Sequence, residues 1–553
     1  MKPPVKTKHS KNTEFSLTNI LKTKLKNSFK LLVTNTKGFC DNTSMHGVKY
    51  LGSKDLYTFE KSYFLLAIIS VILFIGFFAL KAFDKWNITP VIASINPKQY
   101  IITDEPFPAV TICNLNQVDK DKVEHFKKNS TEYAMTQMLC RRPLKQFLNS
   151  SIGDFNNMRD FIWNISQRCS DMVISCQFGN SVYDCQKLFN PVITDDGLCC
   201  VFNTVHPKFL YKIKTEKYNT NIDDTTPVEW SAEKGYHSKL PKEFYPRRTV
   251  GVGETLGLSI ALYADAGNYY CSTGNGIGFR ISIYNPSDFP NMREIGLLLS
   301  VGTETRIRLS NERTESALNL RSLDTQYRRC VFQDERELNF FTHYTQRNCN
   351  IECLTNIILK NCGCVEYFSP RFYGNETICG IREEQCVRRV RVLATTAEDG
   401  RFDCDDICLR SCFDLTYMPD FFSAIMYEPR IYATNPKMQN LSADEVLENI
   451  AMVNLYFAEN VYRSTKQSEF IGTTDFLSSV GGIICLFFGF SFVSIAELIF
   501  FILIRSLVQI PDQWKHQVNN LNKKSVVSGK ISTLSHFVEN DQRWATKQRI
   551  AVK

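Results

Sequence analysis

The sequence predicts a membrane protein in which two transmembrane helices flank one large, disulfide-rich α+β domain. Three observations carry this expectation: two long uncharged apolar runs at opposite ends of the chain, basic flanks outside both, and cysteines concentrated between them. Of 553 residues, 44% are hydrophobic and 22% charged, which suits a folded chain and excludes a largely disordered one. The slightly negative mean hydropathy excludes a bundle of many membrane helices but leaves room for one or two.

The first apolar run is Tyr63–Leu80, 18 residues without a charge, which reaches Phe83 if Lys81 snorkels to the interface. The second extends from about Phe476 to Ile504, with 20 uncharged residues over Leu477–Ala496 before Glu497. A hydrocarbon core ~30 Å thick needs ~20 helical residues, so both runs fit; a buried core helix is the rival reading of each. Residues 1–62 carry 12 Lys/Arg against 4 Asp/Glu, and residues 505–553 carry 9 against 3. The net charge is +8, so tails of +8 and +6 leave −6 for the middle. Basic flanks mark the cytoplasmic side. The expected layout is a cytoplasmic tail (1–62), a first helix (63–83), an extracellular domain (84–474), a second helix (475–504) and a cytoplasmic tail (505–553). This describes a multi-pass plasma-membrane protein with both termini inside. The N-terminus is polar and basic, unlike a cleavable signal peptide, so the first span is expected to serve as its own signal-anchor.

Cysteine placement tests that topology independently. Of 20 cysteines, Cys40 lies in the first tail, Cys485 in the second apolar run, and the other 18 between Cys113 and Cys412. An even number on the predicted outer side reads as disulfides. Zinc ligation by Cys362-Gly-Cys364 or by Cys404, Cys408 and Cys412 is the weaker alternative there. Glycosylation sequons begin at Asn87, Asn129, Asn149, Asn164, Asn375 and Asn440; Asn42 fits the pattern but falls on the cytoplasmic side. The basic stretch Leu21–Val33 either lies on the anionic inner leaflet or is a solvated tail.

Within the outer domain, strand-like runs at Ala109–Ile112, Arg247–Val252 and Gly278–Tyr284 alternate with helical patterns near Asp154–Ser170 and Asn350–Asn361. No repeat is evident, and one α+β domain is expected. Catalytic motifs are missing: there is no HExxH, GxSxG or P-loop, and Gly251–Gly257 has the wrong spacing for a dinucleotide turn. His125, His206, His237 and His343 are scattered and read as ordinary surface or core residues. The expectation is a non-enzyme with no metal, no bound cofactor and no nucleic-acid partner.

The second apolar run carries the chemistry. Ser478, Gly482, Cys485 and Gly489 recur at +4, +3 and +4, one narrow stripe of small side chains. Such a stripe serves either close helix packing or a pore lining. Beyond it, Ser491 and Ser494 offer hydroxyls and Glu497 a carboxylate, which at membrane depth faces protein or water. Small groups, then hydroxyls, then an acid suit a cation pathway.

Ser478–Glu497 resembles the second transmembrane segment of the degenerin/epithelial sodium channel family, with Gly489-Phe490-Ser491 in the place of its selectivity filter. His46-Gly47, about 16 residues before the first span, resembles the family's cytoplasmic gating motif. Phe107–Asn114 resembles its signature after the first span, and Cys330–Cys412 its thumb domain. Gly197–Asn203, with Cys199 and Cys200 adjacent, is similar to the insect pickpocket branch, and Trp86 with Pro90-Val91 is compatible with it. Cys485 stands where many relatives carry Gly, and Phe490 is a large middle residue for the filter.

The resemblance implies a homotrimer or a heterotrimer of related subunits, embedded in lipid, with a hand-shaped ectodomain like that of acid-sensing channels. It implies a sodium-permeable, amiloride-blockable pore in sensory or epithelial cells, opened by a ligand or by force. It assigns gating or pore roles to His46, Gly47, Ser478, Gly482, Cys485, Ser494 and Glu497. It further implies the pairs Cys113–Cys199, Cys176–Cys185, Cys330–Cys412, Cys349–Cys408, Cys353–Cys404, Cys362–Cys386 and Cys364–Cys379. For the remaining four cysteines, Cys140–Cys169 and Cys200–Cys271 is the pairing guessed. Two rival readings stay open: an ATP-gated trimeric channel of the purinergic type, and a two-span scavenger or lipid receptor without a pore. The sequence identifies no stimulus and no extracellular ligand.

Overall fold

The computed structural model of the chain describes residues 33–508 except 54, 89, 143–154, 213–224, 372–373, 396–403, 428–440 and 506–507. Asn149, Asn440, nearly all of Leu21–Val33 and most of both tails lie outside the described residues. The chain divides into two compact units: Val91–Phe470, and the two terminal segments taken together.

The central unit is built on two sheets. The larger has eight strands and runs Val91–Ile101, Val461–Glu469, Thr303–Ser316, Ile450–Phe457, Leu258–Tyr263, Val173–Phe178, Ser181–Val182, with Asp414–Ile425 also paired to the long strand Thr303–Ser316. The smaller has five antiparallel strands in the order Leu297–Ser300, Gly278–Tyr284, Ala109–Asn114, Gly197–Phe202, Asn190–Thr194. The predicted strands at Ala109–Ile112 and Gly278–Tyr284 are thus the middle of this sheet. Every residue of Ala109–Asn114 is buried, which is why this stretch is nearly continuously apolar rather than alternating.

Phe107 is fully buried, and its ring meets those of Phe178, Phe202 and Phe457 at centroid distances of 5.2, 6.0 and 5.8 Å. One aromatic side chain thereby ties strands of both sheets into one core. Asn203 holds it in place by donating to the Phe107 carbonyl at 2.5 Å and to that of Arg247 at 3.0 Å. The signature Phe107–Asn114 and the segment Gly197–Asn203 are therefore scaffold.

One expectation needs correction, and one is refined. Arg247–Val252 is not a strand and contributes one isolated bridge, Arg248 to Pro106. Asn203 and the Glu105 carbonyl take its backbone N–H groups, and Gly253, at φ +90°, turns the chain away. The helical pattern near Asp154–Ser170 resolves into two helices, Met158–Ile165 and Cys169–Met172. Ser166 separates them: it is extended and buried, and its hydroxyl donates to the Gln117 carbonyl at 2.9 Å. The pattern at Asn350–Asn361 lies inside one helix, Gln346–Cys362.

Nine disulfides staple the central unit. Cys113–Cys199, Cys176–Cys185, Cys330–Cys412, Cys349–Cys408, Cys353–Cys404, Cys362–Cys386 and Cys364–Cys379 are all formed. Cys349 and Cys353 sit one helical turn apart on Gln346–Cys362, so they meet Cys408 and Cys404, which have the same four-residue spacing, as two rungs of a ladder. These bonds also use the cysteines weighed as zinc ligands. The last four pair otherwise than guessed: Cys140 with Cys271 and Cys169 with Cys200. Side chains alternate along a strand, so Cys199 and Cys200 face opposite sides of Gly197–Phe202. Cys199 meets Cys113 directly across the sheet, whereas Cys200 faces the main core, where Cys169 opens its short helix. Cys140 and Cys271 belong to a separate cluster built on the helices Thr131–Leu139 and Met158–Ile165.

Cys40 and Cys485 are free. Alkylation without reduction is expected to label these two alone, and peptide mapping to recover Cys140–Cys271 and Cys169–Cys200. A Cys140–Cys169 peptide, or free thiols among Cys330–Cys412, would contradict the structure. Among the sequons in the described residues, Asn87, Asn129, Asn164 and Asn375 are exposed.

Candidate functional site

Among the described residues, the terminal unit contains one uninterrupted apolar helix, Thr58–Ile88, long enough to cross a bilayer and longer at both ends than the predicted 63–83. The second apolar run forms Thr473–Phe488 and Phe492–Ile504, which meet at a bend of 71°. Residues 489–491, the Gly-Phe-Ser of the predicted filter, are the bend. Gly489 ends the first helix at φ +64°, a left-handed conformation that suits glycine. Ser491 is extended and starts the next helix, its Oγ accepting from the Ser494 N–H at 3.3 Å. The chemistry of the tripeptide thus explains the break: a residue that stops a helix, then one that starts another.

The first half of the pair has two opposite faces. Phe476, Val480, Ile483 and Phe487, spaced +4, +3 and +4, are each partly covered. Phe476 stacks on Trp86 with centroids 5.0 Å apart, and Phe487 on Phe78 at 6.1 Å. Half a turn away, Ser478, Gly482 and Cys485 are exposed, and a Cβ added at Gly482 would meet nothing within 4 Å. The small stripe therefore faces away from the first long helix. Gly489 does not continue it along the helix but caps its end.

The second half of the site comes from the N-terminal segment. A helix over 33–42 leads into Thr43–Gly47, which packs against the bend. The His46 N–H donates to the Phe488 carbonyl at 3.0 Å, covering one of the acceptors a helix end leaves open. The His46 imidazole fills the space beside Gly489, so that a Cβ there would lie 2.9 Å from Nε2. Thr43 Oγ1 and the Ser44 N–H donate to Glu497 Oε2 at 3.3 and 3.4 Å, and the Ser44 and Ser494 hydroxyls are 3.3 Å apart. Gly47, at φ +82°, then turns the chain into the short helix Val48–Gly52, where a Cβ would come within 3.3 Å of Ile68.

Four motifs that are separate in the sequence are thus one cluster: His46-Gly47, Gly489–Ser491, Ser494 and Glu497. Ser478, Gly482 and Cys485 stand apart from it. Thr43 and Ser44 were invisible to sequence reasoning, which sees in Asn42-Thr-Ser only a sequon on the wrong side; a polar pair just ahead of His-Gly was the available signal. The cluster sets hydroxyls and a carboxylate at a break where one helix ends and the next begins.

A model of the family described as amiloride-sensitive sodium channel matches residues 39–501. Pickpocket protein 28 of Drosophila melanogaster is 33% identical over 84% of this chain and 78% of its own length. The sodium channel protein Nach of the same species is 22% identical over 84% and 86%, and the bile acid-sensitive ion channel of Rattus norvegicus 22% over 83% and 86%. The matched region takes in the central unit, its disulfides, the apolar helix and the broken pair as far as residue 501. These are ion channels, not enzymes, and the chain belongs to the amiloride-sensitive sodium channel family, with pickpocket proteins among its relatives.

Proposed function

We propose that the chain is a pore-lining subunit of an amiloride-sensitive, sodium-permeable channel of the plasma membrane. Thr58–Ile88 and the bent pair are its two spans, both tails are cytoplasmic, and the central unit is extracellular. Three like or related subunits surround the pore. Gly489, Phe490 and Ser491 form the narrow ion-selective segment, Ser494 and Glu497 its inner mouth, and Ser478, Gly482 and Cys485 the outer lining. His46 and Gly47 brace the filter from the cytoplasmic side.

The observation that carries this reading is the 71° break at residues 489–491. In hydrocarbon, an unpaired backbone N–H or C=O costs several kcal/mol, so non-helical backbone survives only where it is enclosed by protein or lines water. A break made of Gly and Ser, followed by hydroxyls and an acid, supports a hydrated path whose backbone carbonyls and hydroxyls replace ion hydration. The large Phe490 side chain then need not meet the ion. The uncovered small stripe supports neighbouring subunits rather than lipid on that face.

The test is expression with voltage clamp, alone and together with related subunits, under sodium replacement and amiloride. Candidate ligands, osmotic change and force are applied in turn. The expected result is amiloride-blocked sodium current. Ser491→Leu is expected to change the sodium-to-potassium permeability ratio or abolish current at normal surface density. ATP-evoked current resistant to amiloride, or unchanged selectivity in Ser491→Leu, would count against the assignment.

A further inference from the structure

Glu497 puts a carboxylate in an apolar run, and its partners among the described residues are two neutral donors rather than a Lys or Arg. Thr43 Oγ1 and the Ser44 N–H, consecutive in the chain, both donate to one oxygen, Oε2, at 3.3 and 3.4 Å. Among the described residues the other oxygen, Oε1, has no hydrogen-bond partner, and the side chain is partly exposed. The carboxylate is therefore held from one side and open on the other.

The segment that holds it is itself fixed at both ends. Ahead of it, Phe39 is buried and meets the Phe501 ring edge-on, with centroids 6.2 Å apart, and the Thr43 N–H donates to the Phe39 carbonyl at 2.9 Å. Beyond it, the His46 N–H bonds to the Phe488 carbonyl. Phe488 and Phe501 lie on either side of Glu497 in the chain, so Thr43 and Ser44 cannot shift away from Glu497 without breaking a contact at one end. Thr43 is buried, and its Oγ1 also accepts from the Met45 N–H at 3.3 Å, which turns its proton toward Glu497. The Ser44 hydroxyl lies 3.3 Å from that of the fully buried Ser494, which is 3.3 Å from the Ser491 hydroxyl in turn.

We propose that Thr43 and Ser44 are positioning residues for ion selectivity: they fix one oxygen of Glu497 and thereby present the other, Oε1, to the cation passing the inner mouth. The proposal rests on the channel reading above, in which Glu497 lines that mouth. Selectivity depends on the number and field strength of the oxygens that replace ion hydration. A loose carboxylate adapts its spacing to whichever ion arrives, whereas a fixed one keeps a single spacing. Fixing it beforehand also reduces the side-chain freedom lost when the ion binds.

The test is the reversal potential of the full chain under sodium and under potassium, with current normalised to surface-labelled protein. Thr43→Val keeps the shape and removes the donor. The sodium-to-potassium permeability ratio is expected to fall about threefold to tenfold while amiloride-blocked current persists, the span that loss of one hydrogen bond commonly gives. Thr43→Ser, which keeps the hydroxyl, is expected to keep the ratio. In a Glu497→Gln background, Thr43→Val is expected to change the ratio no further, because a residue that acts only through Glu497 has nothing left to position. A general brace of the fold would add its effect in both backgrounds. Should Thr43→Val fail to reach the surface, Thr43→Ala removes the same donor and takes its place. With a conducting wild type, four results would overturn the proposal alone: an unchanged ratio, an equal loss in Thr43→Ser, an additive effect in Glu497→Gln, or silence of the surface-expressed variants. A wild type without sodium current would remove the channel reading and this proposal with it.

Discussion

Ser478→Phe is expected to give channels that conduct sodium at rest, without any stimulus. Ser478 is exposed on the helix face turned away from the first long helix, so in the single chain a larger side chain there points away from that helix. The effect must come from neighbouring copies. In the proposed trimer the small stripes converge, and a closed pore brings them closest. A phenyl ring fits a wide arrangement and clashes in a narrow one. Overpacking costs ~1–3 kcal/mol per site, and three copies pay it together. The strain acts on the closed state, so the equilibrium shifts toward open by the difference between the two states. A shift of ~3 kcal/mol already changes the open-to-closed ratio by about two orders of magnitude. The measurement is amiloride-sensitive current at rest, normalised to surface-labelled protein. A variant that reaches the surface and stays silent while wild type responds places the gate elsewhere.

Gly489→Ala is expected to abolish sodium current while leaving the central unit folded. Two costs coincide at this position. Its φ of +64° is a conformation that costs a non-glycine residue roughly 1–2 kcal/mol. The added Cβ would also lie 2.9 to 3.0 Å from three atoms of the His46 ring, which must move. The cost therefore lands on the filter backbone and on the His46 N–H bond to Phe488 together. Two further variants separate the costs. Asn tolerates the left-handed region better than Ala but carries the same Cβ, so Gly489→Asn should stay defective if the ring contact dominates. In that case the double variant Gly489→Ala/His46→Ala should recover part of the current. Normal current and selectivity in Gly489→Ala would remove the left-handed cap from the mechanism.

The sequence by itself determined the two apolar runs, the signs of their flanks and the confinement of 18 cysteines between them. These are local quantities, a run of uncharged residues and a charge count; the second run read as one helix over 475–504, and the structure is what ends a helix at Gly489 and starts another after Ser491. The strand Ala109–Asn114 was legible for the same reason, since a strand buried on both faces is apolar throughout. Arg247–Val252 looked similar and is not a strand, because its hydrogen bonds go to Asn203 and Glu105, partners remote in the chain. The last disulfides were hidden in the same way. Which of two adjacent cysteines faces the main core depends on sheet register, and register is a relation between strands, not a property of one. Only the tertiary structure decided that His46 lies on Gly489, and that Thr43 and Ser44 reach Glu497 across more than 450 positions of chain. No spacing encodes such a contact; it follows from two helices packing side by side, so that segments from opposite ends of the chain meet at one break.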